Sequence, residues 1–310
     1  MSALWGIDLG GTKIEGAILK DADNPQVVTR LRVPTEKTKG YDHIISQVEL
    51  LVNMMKKETG LTSSAIGMGT PGAIDPPTQT LKNSNTTVLN GRSFREDLEK
   101  KIGIPFLMAN DANCFAIAEA RMGVVKKEAP DARLIFGVIM GSGVGGGIVV
   151  NKEVWNGLQG IGGEWGHSFL DQSGGECYCG QTGCVETIIS GPSCERYYKK
   201  ISGQELKLKE IIKRHKDKSD KYATETVERL LHFFGKGMAN IINILDPDAI
   251  VLGGGLGNID LLYSEGVEQV KSFVFNPRLD TPFLKPELGD SAGVFGAAFL
   301  TASFVEKINM

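Results

Sequence analysis

The chain has 310 residues, 41% of them hydrophobic, which supplies substantial buried cores, gives room for two lobes, and excludes a disordered tail or a staple-dependent miniprotein. Its 34 Lys and Arg against 37 Asp and Glu leave a formal charge of −3, so no general attraction to nucleic acid or an anionic membrane is expected. Glycine is the outlier, at 39 of 310 residues or about one in eight, against a usual value of about 7%, and the 12 prolines follow no collagen-like period.

The opening MSALWGIDLGGTKIEGAIL has no basic region followed by a long apolar stretch and a small-residue cleavage site, and no 18-residue apolar run follows elsewhere. The expectation is a cytoplasmic protein, with no membrane partner. Five cysteines would be reduced in that compartment, and their odd number and clustering point to a metal site rather than a disulfide framework.

In chain order, Ala3 to Asp8 is an apolar strand, Gly10 and Gly11 turn the chain, Ile14 to Leu19 returns as a strand, and a third lies near Val27 to Val33. Apolar residues recur at helical spacing over 41–58, with Met54 and Met55 on the packing face, and a strand follows at Ala65 to Met68. A short apolar run ends at Met108, DANCFAIAEARMG reads as a helix, and Leu134 to Met140 is another strand before another glycine turn. Residues 151–190 are Gly- and Cys-rich and irregular, a length that in a compact domain requires a function or a ligand. Helices are expected at 193–200, 206–215 and 221–244, a strand at Ala249 to Leu252, and two last helices over LLYSEGVEQVKSFVF and SAGVFGAAFLTASFVEKI. KKE at 126–128 and HKDKSDK at 215–221 read as solvated turns or helix ends, without the aromatic interleaving of a nucleic-acid platform.

Three glycine-rich turns follow apolar strands: DLGGTK (Asp8 to Lys13), GSGVGGG (Gly141 to Gly147) and GGG at 253–255. Each alone reads as a tight turn, whereas the three together suggest backbone amides brought close to a ligand, with Thr12 and Lys13 as further donors. Neither GxxxxGK[ST] nor a strand-to-helix GxGxxG is present, so a phosphate cradle of another kind is needed. Asn110 and Asp111 end a strand and begin a helix, where a carboxylate could orient and deprotonate an attacking hydroxyl; the alternative for Asp111 is a helix cap. His167, Cys177, Cys179 and Cys184 give H-x9-C-x-C-x4-C in one irregular loop. Three thiolates and an imidazole meet the four-coordinate preference of structural Zn²⁺ and leave no open position for metal catalysis. Cys114 reads as core, while Cys194 and Glu195 receive no chemistry.

Residues 4–302 resemble the ROK family, whose carbohydrate kinases have the two-lobed α/β, ribonuclease-H-like ATPase fold of the actin, Hsp70 and hexokinase superfamily. The resemblance implies an N-terminal lobe over 1–118 joined by a C-terminal helix at 292–310, and a larger lobe over 119–291 carrying a zinc loop at 164–186, with the transition near 110–134. It implies that Asp8 orients Mg²⁺ through water, that Gly10, Gly11, Thr12 and Lys13 surround the transferring phosphate, and that Gly141, Ser142 and Gly143 form a second phosphate loop. Gly254 and Gly255 would lie near the nucleoside of ATP. Asp111 would be the catalytic base, with Gly72, Asn85, Asn110, Glu164, His167 and Glu186 at the sugar and His167 also on zinc.

The segments KNSNTTVLNGRSFREDLEKKIG, LMANDANCFAIAEA, GEWGH, CYCGQTGCVETIISG and NILDPDAIVLGGG look like bacterial ROK fructokinases, some of which accept mannose. The implied reaction turns D-fructose into fructose 6-phosphate with ATP. N-acetylglucosamine kinase or glucokinase is the alternative, and a noncatalytic sugar sensor the alternative of another class. A ROK repressor would carry a helix-turn-helix before DxGGT, for which Asp8 leaves no room. The family also implies a homodimer and lobe closure over the sugar.

Overall fold

The computed structural model describes residues 3–308, which divide into two compact units, 3–133 with 147–163 and 287–308, and 134–146 with 164–286. Among the described residues no helix is long and apolar enough to cross a membrane.

The first unit opens with β1 (Leu4–Leu9), β2 (Lys13–Leu19) and β3 (Val27–Pro34), an antiparallel meander as the apolar runs and the Gly10–Gly11 turn predict. Helix α1 (Tyr41–Thr59) buries Ile44, Val48, Leu51, Val52 and Met55 and stops at left-handed Gly60. Strand β4 (Ile66–Thr70) pairs parallel with β1. The short pair β5 (Ala73–Ile74) and β6 (Leu81–Lys82) and helix α2 (Phe94–Ile102) precede β7 (Phe106–Asn110), parallel to β4. Helices α3 (Asp111–Arg121) and α4 (Val124–Glu128) follow. The sheet order is β3-β2-β1-β4-β7.

The order recurs in a second sheet. Strands β8 (Leu134–Met140), β9 (Val144–Val150) and β10 (Glu153–Val154) are followed by α5 (Glu186–Ile189), α6 (Gly191–Ser202), α7 (Leu208–Lys216) and α8 (Lys221–Leu245). Strand β11 (Ala249–Gly253) is parallel to β8, and β12 (Phe283–Leu284) is parallel to β11, giving β10-β9-β8-β11-β12. Helix α8 starts where Asp220 accepts the N–H groups of Tyr222 and Ala223, and buries Val227, Leu230, Leu231, Phe234 and Met238 in the second unit.

Both expected last helices are divided. The first breaks at Ser264, whose φ of −109° and ψ of −89° are not helical, into α9 (Asp260–Tyr263) and α10 (Glu265–Phe273). The second becomes α11 (Ala292–Phe299) and α12 (Ala302–Ile308), where the Thr301 hydroxyl donates to the Ala298 carbonyl at 2.8 Å and so competes with the helical ladder. Helix α11 lies on β1 and β4 so closely that a methyl group at Gly6 would stand 2.3 Å from the Val294 carbonyl, and one at Gly67 only 1.7 Å from that of Ala297. Part of the glycine excess therefore serves packing.

Candidate active site and metal cluster

In the first unit the Gly10–Thr12 turn closes through Gly10 N–H donating to the Lys13 carbonyl at 3.0 Å. Thr35, fully buried, ties the next segment to it: its hydroxyl donates to the Gly10 carbonyl at 2.6 Å and its N–H to the Thr12 carbonyl at 3.0 Å. The Lys13 ammonium lies 3.1 Å from Glu15, a buried carboxylate that also binds Arg30 and Arg32. Asp8, on β1, is half-buried. Burial first, then the negative charge of Asp111 and of Glu15, push its pKa up to about 6, against a smaller opposing pull from Lys13.

Asn110 ends β7 and caps α3, its Oδ1 accepting the Asn113 N–H at 2.8 Å. Asp111 is the first residue of the helix, and its Oδ1 accepts the Ala112 N–H at 2.8 Å. It keeps a solvent-accessible surface. Even so, protein atoms crowded around its carboxyl hold the pKa above the ordinary carboxylate value, partly opposed by the N–H groups of Ala112 and of Asp111 itself. The two acids are thus brought together, both biased towards holding a proton.

Asn110 also lines a cavity of about 180 Å³ with Asn113, Asn156, Arg95 and Gln79. Asn113 is buried; its amide donates to Asn156 Oδ1 at 3.4 Å and accepts from Ile148 N–H at 3.1 Å. Sequence reading passed over both residues, although Asn113 belongs to the same ANDAN segment. Gly72, at φ 96°, occupies a turn in which a methyl group would sit 2.4 Å from the Lys82 carbonyl. Asn85 is exposed in the loop after β6.

In the second unit Gly141 N–H donates to the Gly143 carbonyl at 2.9 Å, while Gly191 at the start of α6 donates to the Gly141 carbonyl at 2.9 Å. Glu186 Oε2 accepts the Val144 N–H at 2.8 Å, and a methyl group at Gly143 would approach that oxygen to 2.5 Å. Ser142 and Glu186 line a polar cavity of about 440 Å³ with Tyr178 and Arg196. Gly254, at φ 75°, passes beside the Met140 carbonyl, and Gly255 opens onto a cavity of about 830 Å³ between apolar Leu208, Ile212, Leu256 and Ile259 and the lysines of α7. That volume lies within the range of sites for nucleotide-sized ligands. Glu164 is half-buried at the start of the turn that carries His167.

His167, Cys177, Cys179 and Cys184 place their ligand atoms within 4.8 Å of one another. His167 Nδ1 lies 3.6 Å from Cys177 Sγ, and Cys179 and Cys184 sulfurs are 3.6 Å apart. Tetrahedral zinc, with bonds of about 2.3 Å to sulfur and about 2.0 Å to nitrogen, sets ligand atoms about 3.4–3.8 Å apart; two pairs stand at that spacing and all four atoms lie within 4.8 Å, so the donor set suits it after a small closure. Without a cation, burial and the neighbouring thiols push the Cys184 thiol up to about 12. The other imidazole nitrogen, Nε2, lies 3.0 Å from the Tyr178 hydroxyl, so both ring nitrogens are engaged within the loop. Tyr178 was missed by sequence reading, being hidden between two cysteines. Cys114 and Cys194 are buried away from the cluster, Cys114 as expected of core.

The sequence matches the ROK family over residues 4–303. It is 36% identical over 307 residues to N-acetyl-D-glucosamine kinases of Aliivibrio salmonicida and Vibrio parahaemolyticus, covering 96% of this chain and 98% of each of those. The structure superposes on the ROK hexokinase from Thermus thermophilus with a TM-score of 0.86 at 29% identity, over 99% of both chains. A ROK glucokinase from Streptomyces griseus, crystallised with glucose and AMPPNP, shares the fold at a TM-score of 0.75 and 24% identity over 96% of this chain and 99% of that one. With the family match running nearly end to end, the chain belongs to the ROK family and has the actin-like α/β fold of its sugar kinases.

Proposed function

We propose that the chain is an ATP-dependent hexose kinase in which Asp111 is the general base. The observation that carries this is the placement of Asp111 beside Asp8: one accessible carboxylate with a raised pKa, next to a second one at the mouth of a glycine turn. The sugar hydroxyl oxygen attacks the γ-phosphorus and its proton passes to the Asp111 carboxylate, while the bond from the γ-phosphorus to the bridging oxygen breaks and ADP leaves with that electron pair. The Asn110, Asn113 and Asn156 amides beside the small cavity supply the donors and acceptors that ring hydroxyls need. Gly255 and the 830 Å³ cavity supply a nucleoside site, with Gly141 to Gly143 as its phosphate loop.

Asp8 is the residue that would hold Mg²⁺, a hard cation suited to a carboxylate and waters, and the ion when bound would neutralise phosphate charge. Zinc on His167, Cys177, Cys179 and Cys184 would rigidify a loop that lacks a core of its own.

D-fructose is the acceptor put first, on the likeness of KNSNTTVLNGR and CYCGQTGCVETIISG to bacterial ROK fructokinases, with mannose beside it. The second reading is N-acetylglucosamine, the sugar in the names of relatives up to 36% identical. ADP release measured with fructose, mannose, glucose, N-acetylglucosamine and N-acetylmannosamine separates them, the true acceptor giving the highest kcat/KM. Turnover on none of the five would favour a sugar sensor.

A further inference from the structure

The Gly10–Thr12 turn has a cation above it that the motif does not contain. A methyl group at Gly11 would meet a single neighbour, the Lys37 ammonium nitrogen, at 3.6 Å. Lys37 comes to this position because the segment after β3 is stapled to the turn by the two hydrogen bonds of buried Thr35. The next residue, Glu36, takes the left-handed conformation at φ 48°, which is uncommon for a residue with a Cβ. Its carboxylate turns to Lys39 at 2.7 Å and to His43 at 2.8 Å.

The neighbouring basic side chains already have carboxylate partners: Lys39 and His43 meet Glu36, and Lys13, Arg30 and Arg32 meet Glu15. Among the described residues the Lys37 ammonium has no ion-pair or hydrogen-bond partner within the protein, and the N–H groups of Gly11 and Thr12 have none either. Two backbone donors and one ammonium thus stand at one turn without a partner in the protein, and the turn's central residue has no side chain to cover them. That donor set calls for an anion with several oxygens, and a phosphoryl group supplies it.

We infer that Lys37 is a phosphate-contacting catalytic residue, its ammonium meeting the terminal phosphoryl oxygens of the nucleotide over Gly11. The inference rests on the kinase reading above. It adds a positive charge from outside the DLGGTK motif, placed where negative charge is carried by the group in transfer.

Lys37→Met and Lys37→Arg test it, through steady-state kinetics and through calorimetric titration with Mg·ATP and, separately, with AMP. Lys37→Met is expected to lower kcat/KM for ATP by about 10–100-fold and to weaken ATP binding, with AMP affinity, sugar affinity and Tm unchanged, since an exposed unpaired lysine supports no fold contact. Lys37→Arg should recover activity to within about threefold. Wild-type kcat/KM and ATP affinity in Lys37→Met would overturn the assignment, as would equal losses for ATP and AMP. If the wild type transfers phosphate to no sugar, the kinase reading fails separately, and the ATP-against-AMP titration still decides whether Lys37 reads phosphate.

Discussion

Asn110 Oδ1 accepts the Asn113 backbone N–H at 2.8 Å, so the N-terminal cap of α3 is supplied by Asn110 and not by its neighbour Asp111. The cap position left open while only the sequence is considered therefore goes to Asn110, and Asp111 adds only the bond from the Ala112 N–H at 2.8 Å in the first turn. Replacing Asn110 with Ala should destabilise the protein by about 1 kcal/mol, whereas Asn110→Ser, which keeps a capping oxygen without adding a charge beside Asp111, should lose less. Thermal unfolding of the two variants checks this; equal losses in both would mean that Asn110 stabilises through something other than its cap.

The raised pKa of Asp8 has opposite consequences for activity and stability. The proposed mechanism uses Asp8 and Asp111 as carboxylates, so it predicts kcat/KM full above about pH 7 and falling as pH drops through about 6. For stability the sign is reversed. A folded pKa of about 6 against 3.8 means that the folded state favours the protonated acid, so the carboxylate costs stability as pH rises through that window. Asp8→Asn should accordingly abolish turnover yet raise stability at pH 8 by about 1–3 kcal/mol, with the gain vanishing below about pH 4. Denaturant unfolding at pH 8 and pH 4 reads it, and a destabilised Asp8→Asn at pH 8 would contradict the stated cause of the shift.

The Tyr178 hydroxyl lies 3.0 Å from His167 Nε2, with the two rings edge to face at 5.1 Å. A hydrogen bond there fixes the tautomer that leaves Nδ1 for the metal. Tyr178→Phe should keep the ring contact, lose the bond, and lower zinc affinity about 10–100-fold in competition with a chelator. Unchanged affinity would reduce Tyr178 to a surface residue. Removing zinc from the wild type should expose the 168–183 segment to proteolysis before the rest of the chain unfolds.

Two glycines separate packing from ligand access. Gly67→Ala puts its methyl 1.7 Å from the Ala297 carbonyl, and relieving that clash moves α11 off the sheet at a cost of about 3 kcal/mol or more. Gly255→Ala meets nothing within 4 Å, so Tm should stay within about 1–2 °C while KM for ATP rises. A loss of stability in Gly255→Ala comparable to that in Gly67→Ala would remove the distinction.

Much of this was legible beforehand because the signals are local. Apolar runs bounded by glycine located β1, β2, β8 and β11, and the H-x9-C-x-C-x4-C spacing identified the four residues whose ligand atoms meet. What escaped depends on tertiary contact. Tyr178 carries no signal until its hydroxyl is seen at His167, and Lys37 none until Thr35 draws its segment onto the turn; α2, by contrast, was marked by Phe94, Leu98 and Ile102 at i, i+4 and i+8 and was passed over. Gly6 and Gly67 look like any other glycine until α11 is laid across them. The acceptor sugar is hardest to read, because acceptors differing by one hydroxyl or an acetamido group are told apart by small differences in paired hydrogen bonds.

The most direct test is Asp111→Asn, measured for sugar-phosphate formation from Mg·ATP and, in the same preparation, for sugar binding and Tm. Turnover should fall by about 10²–10⁴-fold while sugar affinity stays within a few-fold of wild type and Tm does not drop, since the cap belongs to Asn110 and burial disfavours the Asp111 charge. Near-normal turnover by Asp111→Asn would contradict the assignment of Asp111 as the base.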